Sequence, residues 1–124
     1  MHLNVTLPLV PQKVVLKLWG TEFWLTNTDK YCAKVLEVMP NWSCSLHYHP
    51  VKQETFYVLE GEVKLEQRDV RGVPFEEILK AGDQRLIMPK TPHRFSSLEG
   101  AQILEISTHH EDEDTIRIEE SRKI

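Results

Sequence analysis

The chain has 124 residues, 40% of them hydrophobic and 27% charged, with a formal net charge of −4. That size and balance fit one soluble domain that can bury a core without disulfide staples. An acidic chain with scattered basic residues argues against a nucleic-acid partner, and no apolar run approaches the length of a membrane span.

The stretch from Met1 to Pro11 lacks a basic leader and a long apolar run, so a signal peptide is not expected and a cytoplasmic protein is. Cys32 and Cys44 are not spaced as a zinc ribbon or a redox pair. They read as buried, reduced thiols.

Short strand-like runs then follow one another. Residues 13–18 and 22–25 flank Trp19-Gly20, and 33–39 is rich in β-branched and apolar residues and ends at Pro40-Asn41. Residues 43–49 stop at Pro50; 54–59 reach Gly61, with 62–68 beyond it. Residues 74–79 end at Ala81-Gly82, 85–88 at Pro89, and 93–96 near Glu99-Gly100; 101–107 is the last strong strand. Turn signals at this frequency predict an all-β sandwich or barrel. Residues 109–124 are polar and acidic with Ile116 and Ile118 alternating. They are open to three readings: a terminal strand, a short helix, or an arm onto a second subunit.

One constellation carries chemistry. His47 and His49 are two apart, so in a strand they point to the same face and can grip one ion. Glu54 lies just past the break at Pro50 and can close the site from the next strand. His93 must be brought in by the fold. A mixed nitrogen and oxygen donor set suits manganese, iron, cobalt, nickel or zinc and is poor for calcium.

These residues resemble the cupin family. Its first motif, His-x-His followed by Glu and then Gly, is matched by His47, His49, Glu54 and Gly61. Its second is matched by Gly82, Pro89 and His93, with Thr91 where the family usually has Gly and six residues between Gly82 and Pro89. The resemblance covers residues 15 to 107 and implies a single cupin domain over 1–124, a jelly-roll β-barrel (a double-stranded β-helix) with 108–124 as a C-terminal arm. It also implies one divalent metal per subunit, manganese being favoured, and a homodimer paired through edge strands.

A narrower resemblance is to the cupin sugar isomerases, namely the D-lyxose isomerases and type II phosphomannose isomerases. It rests on the run from Leu18 to Trp24, on His93-Arg94, and on the tail from Glu111 to Arg117. Lys52 and Glu105 look like the catalytic lysine and late-strand carboxylate of the lyxose enzymes. The implied activity is metal-assisted proton transfer between C1 and C2 of a free sugar such as D-lyxose or D-mannose. A mannose-6-phosphate isomerase, a cupin iron dioxygenase and a non-catalytic metal- or sugar-binding module are the alternatives.

The residues themselves bear on this chemistry. A dication near Lys52 would lower the pKa of its amine and favour a basic form. Glu105 shares a strand face with Ile103, opposite Leu104 and Ile106, so it is expected inside the barrel, where a carboxylate is costly unless paired or functional. Phe56 shares the parity of Glu54 and should face the cavity, with Tyr57 on the other side. Arg94 and Arg117 are candidate substrate contacts, and with Arg85 and Lys90 they are the candidates for a phosphate. His109, His110 and the acidic run from Glu111 to Asp114 read as solvated tail, with a substrate or subunit contact as the alternative that the family-like continuation to Arg117 implies for the run.

Overall fold

Alternating apolar positions and turn residues give twelve antiparallel strands in the computed structural model, which describes residues 10–124. In chain order they are β1 (Lys13–Lys17), β2 (Gly20–Asn27), β3 (Cys32–Val38), β4 (Trp42–Ser43), β5 (Leu46–Tyr48) and β6 (Glu54–Arg68). Then come β7 (Pro74–Lys80), β8 (Gln84–Ile87), β9 (His93–Ser97) and β10 (Ala101–Ser107). A 3-10 turn at Asp112–Asp114 leads to β11 (Ile116–Glu119) and β12 (Arg122–Lys123). No helix among the described residues is long and apolar enough to cross a membrane.

The strands form one curled sheet with the order β1-β2-β3-β10-β6-β9-β4-β12. β6 is the spine. Its first half pairs with β10 and β8, and its second half with β7 and β9. The sequence reading divided this segment at Gly61, but the strand runs through it. A register shift against Gln102/Ile103 bends β6 there, and Gly61 takes φ +83°. A Cβ on Gly61 would collide with the Gly100 carbonyl, so only glycine lets the two strands approach at the corner.

The inner face is apolar at one end of the roll. Leu36, Val38, Val58, Val63, Leu65 and Ile103 are fully buried and form the core cluster. Each such side chain contributes about 1.5–3 kcal/mol by leaving water. Cys32 and Cys44 are free and buried, as expected. At the other end the inward positions are polar, and the roll opens into a cavity of about 520 Å³.

The tail folds back onto its own chain. β11 pairs with β5, and β12 pairs with β4. Ile116 and Ile118 remain largely exposed, so apolar burial does not hold it. Backbone pairing and a set of polar clamps do.

Candidate metal centre and active site

His47 lies on β5 opposite His93 on β9, in register across the pair. His49 follows one step beyond β5, and Glu54 opens β6 after the Pro50–Gln53 loop. The nearest ligand atoms of the three imidazoles all fall within 4.8 Å of one another. The turn before β9 takes its left-handed residue at Lys90 (φ 68°), so position 91 accepts threonine without strain.

Each imidazole is fixed from behind. His47 Nδ1 donates to the Ser45 carbonyl at 2.9 Å, His49 Nδ1 to the Asp114 carbonyl at 2.9 Å, and His93 Nδ1 to the Thr91 carbonyl at 2.8 Å. A backbone carbonyl accepts only from N–H, so each ring carries its proton on Nδ1 and turns the Nε2 lone pair inward. Metal-ligating histidines are usually held this way.

Glu54 Oε2 lies 3.1 Å from both His49 Nε2 and His93 Nε2. Neither Glu54 Oε2 nor His93 Nε2 has a hydrogen-bond partner, and both are buried. Orphaned buried polar atoms converging on one point fit a cation. Three nitrogens and one carboxylate suit a divalent transition metal.

The electrostatics agree with four groups competing for positive charge. Burial, then the neighbouring His93 and His49, pushes His47 down to about 3. Burial would also lower His93, but the Glu54 carboxylate outweighs it and holds His93 above its ordinary value. Burial would raise Glu54, yet His93 and Lys52 keep it well below the usual carboxylate range.

Beside this group lies a buried ion pair. Lys52 Nζ is 3.1 Å from Glu105 Oε2 and 3.8 Å from Glu54 Oε1, and both side chains of the Lys52–Glu105 pair are under a tenth exposed. The two residues predicted as an acid–base couple are thus brought together. In the protein free of metal, Lys52 is governed by its two carboxylates. Burial would lower its pKa, but Glu105 and then Glu54 hold the ammonium above its ordinary value. A neutral amine there must be reached against two carboxylates.

Phe56 lines the same cavity and packs edge-on against Phe95, 5.8 Å between centroids. Tyr57 faces outward, as its parity requires. Arg117 lines the cavity from β11, where it is the register partner of His47. Arg94 does not line it. Its guanidinium donates to the Cys44 carbonyl at 3.1 Å, to Glu119 Oε1 at 2.8 Å and to the Glu120 carbonyl at 3.0 Å. The expectation of a substrate contact is corrected: Arg94 is buried and pins the tail to the barrel.

The tail holds what the sequence reading missed. His110 is not a solvated histidine; it lines the cavity, and its Nδ1 lies 3.1 Å from Lys52 Nζ. Burial, then Lys34 and Lys52, lowers its pKa. It is therefore neutral, accepting from Lys52 at Nδ1 and donating from Nε2 to Asp112 Oδ1 at 2.9 Å. Asp114 is likewise engaged, its carboxylate accepting from the Val51 and Lys52 amides at 2.9 and 2.8 Å. The alternation of Ile116 and Ile118 signals a strand after this segment, but nothing local signals which edge that strand joins.

The cupin domain family matches residues 34–109. A D-lyxose/D-mannose isomerase of Thermosediminibacter oceani is 37% identical, the match covering 73% of this chain and 62% of that protein. A D-lyxose ketol-isomerase of a Thermofilum species is 34% identical over 82% of this chain and 70% of that protein. The chain thus spans somewhat under two thirds of one relative and 70% of the other. Among solved structures, an oxalate decarboxylase from Bacillus subtilis superposes with a TM-score of 0.77 over 86% of this chain and 30% of that one, at 19% identity, a likeness of fold alone. With its jelly-roll architecture and the matched family span, the chain belongs to the cupin family and resembles the sugar isomerases within it.

Proposed function

We propose that this cupin is a divalent-metal-dependent aldose–ketose isomerase acting on a free sugar such as D-lyxose or D-mannose. The observation that carries the reading is the buried Lys52–Glu105 pair, 3.1 Å apart, beside three imidazoles whose Nε2 atoms face one point. The names of the relatives point the same way. We assign His47, His49, Glu54 and His93 as ligands of one ion, with manganese favoured.

When bound, the ion would supply a Lewis acid for the carbonyl and neighbouring hydroxyl oxygens of the sugar. Glu105, at the cavity wall, takes the proton from C2 of the aldose and returns it to C1. Lys52 serves the oxygens: it gives a proton to O1 as the C2 proton leaves and takes one from O2 as C1 is protonated, and its hydrogen bonds stabilise the negative charge that develops there. Phe56 covers one side of the cavity and limits water there.

A free sugar is favoured over a phosphorylated one by the cavity wall. Its five basic and five acidic side chains balance, so beyond the bound ion the wall adds no net positive field for a phosphate. Of the four cations considered for phosphate, only Arg117 lines the cavity. Arg85 instead pairs with Glu77 at 2.7 Å on the outside of the roll.

The test is to strip the protein with chelator, reload it separately with manganese, iron, cobalt, nickel or zinc, and incubate it with free and phosphorylated aldoses in heavy water. Deuterium at C1 or C2 of a free sugar is the expected result. No product and no deuterium with any metal across the panel would reject the isomerase reading.

A further inference from the structure

A second group of buried charges lies in the same cavity, away from the three ligand histidines and against His110, whose ring meets that of Trp24 at 5.1 Å between centroids. One cross-strand row on the inner face runs Lys13, Trp24, Lys34, Glu105, each the register partner of the next on β1, β2, β3 and β10. Glu22, two residues before Trp24, accepts a hydrogen bond from the indole Nε1 at 2.9 Å and faces Lys34 Nζ at 3.6 Å. The Lys34 ammonium also sits 4.1 Å from the centroid of the Trp24 ring. The Lys34 side chain is 2% exposed and that of Glu22 15%, and both line the cavity.

A wall that only had to pack would carry apolar residues here. Burying an ion pair costs more in desolvation than its attraction usually returns, and apolar replacements are often at least as stable. At 3.6 Å the pair is also longer than a hydrogen bond, so the carboxylate lone pairs and ammonium protons are not consumed by each other. The Trp24 indole fixes Glu22 from one side, and the ring face fixes Lys34 from another.

A fixed acceptor beside a fixed donor suits neighbouring hydroxyls, since each hydroxyl can donate to the carboxylate and accept from the ammonium. We propose that Glu22 and Lys34, held by Trp24, form a second subsite that binds the hydroxyl-bearing far end of an open-chain sugar and sets which chain lengths and configurations are accepted. This rests on the isomerase reading and deepens it. The row joins the two regions. Lys34 is the cross-strand neighbour of Glu105, about 5 Å away at Cβ in such pairs. A chain reacting at C1–C2 beside Glu105 therefore lays its later carbons toward Glu22. The balanced wall charge suits a neutral polyol.

The test is calorimetric titration of the full chain, both stripped and manganese-loaded, with arabinitol, mannitol and ethylene glycol. Wild type should bind both polyols more tightly than the two-carbon glycol. Glu22→Gln and Lys34→Met should each weaken polyol binding about tenfold or more while leaving manganese affinity unchanged. Trp24→Phe keeps the ring and loses only the indole N–H; it should weaken polyol binding as well, and it carries the test if a charge variant fails to fold.

A wild type that binds neither polyol, or folded variants that bind both as wild type does, overturns the subsite. The two readings also separate in turnover. If free aldoses isomerise and Glu22→Gln keeps the wild-type KM for five- and six-carbon sugars, the subsite is wrong and the isomerase stands. If polyol binding depends on Glu22 but no aldose turns over under any metal, the isomerase reading fails and the cavity remains a polyol site.

Discussion

Lys52 and Glu105, 53 residues apart in sequence, meet inside the barrel at 3.1 Å, with Glu54 another 3.8 Å from the same ammonium. A lysine between two carboxylates is the link between the ligand group and the rest of the cavity. Removing Lys52 strips Glu105 of its nearest cation, and removing Glu105 leaves the buried Lys52 with Glu54 alone, 3.8 Å away. Lys52→Met and Glu105→Leu are each expected to destabilise the protein by about 3–5 kcal/mol, and the double variant to recover much of that loss. Turnover should fall at least about 100-fold in each single variant, while metal content stays near one ion per chain. Urea unfolding, elemental analysis and sugar assays on the same preparations check all three. Full turnover in either single variant would remove that residue from the mechanism.

The imidazole cluster fixes how acid and base act on protein stripped of metal. His47 is pushed from 6.5 to about 3, so below pH 6.5 the unfolded chain takes up a proton that the folded chain refuses, and stability falls as pH drops. His110, also lowered, adds the same sign, and so does Glu54, whose contribution is present above its ordinary 4.5 and lost as pH falls through its folded value. His93 is raised above 6.5. Its contribution is complete below 6.5 and is lost as pH rises through its folded value. The stripped protein should therefore have its highest urea midpoint near pH 6.5, with slopes of at most about 1.4 kcal/mol per pH unit from each group. His47→Gln should make the acid side shallower. Adding manganese should raise the midpoint, and more so at higher pH, because binding expels protons from the imidazoles.

How much of this was written locally in the chain can be judged residue by residue. His47 and His49 announce themselves by period two. Gly61 marks a corner because no other residue fits under the Gly100 carbonyl. Glu105 stands out as the one charge on its strand, flanked by Leu104 and Ile106. The tail was unreadable for a physical reason. Its contacts reach far along the chain, 58 residues between His110 and Lys52 and 66 between Thr115 and His49, and nothing near residue 110 encodes the partner. Arg94 was misread because its neighbour His93 points into the site. On a strand the next side chain points the other way, so the pair could not share a role. Lys34 gave no signal, since a lysine in the run Cys32–Val38 looks like the solvent face of an amphipathic strand.

Asp114 makes the tail part of the site. Its carboxylate receives the Val51 and Lys52 amides, and its carbonyl receives His49 Nδ1. Asp114→Ala removes the first two bonds and keeps the third. The expected cost is about 1–3 kcal/mol, with kcat reduced more than metal affinity because the Lys52 backbone loses its anchor while the His49 ring keeps its own. Hydrogen exchange should speed up at the Val51 and Lys52 amides first. Unchanged exchange there would mean that the loop is held by something other than this carboxylate.

Arg94 tests whether the tail is docked by charge. Its guanidinium satisfies the Cys44 carbonyl within the barrel and the Glu119 side chain and Glu120 carbonyl within the tail, so one side chain spans both. Lysine cannot reproduce this fork, because its single ammonium cannot reach three directions in one plane. Arg94→Lys is therefore expected to cost about 1–3 kcal/mol and to loosen β11 and β12. Hydrogen exchange should rise across Ile116–Glu119 while the β6–β10 pairing stays protected, since that pairing lies in the core. Glu119→Gln should give a smaller effect with the same pattern, because Glu119 is partly exposed and its ion pair is screened. If Arg94→Lys left tail exchange at the wild-type rate, strand pairing alone would hold the tail, and the buried guanidinium would be serving only the Cys44 carbonyl.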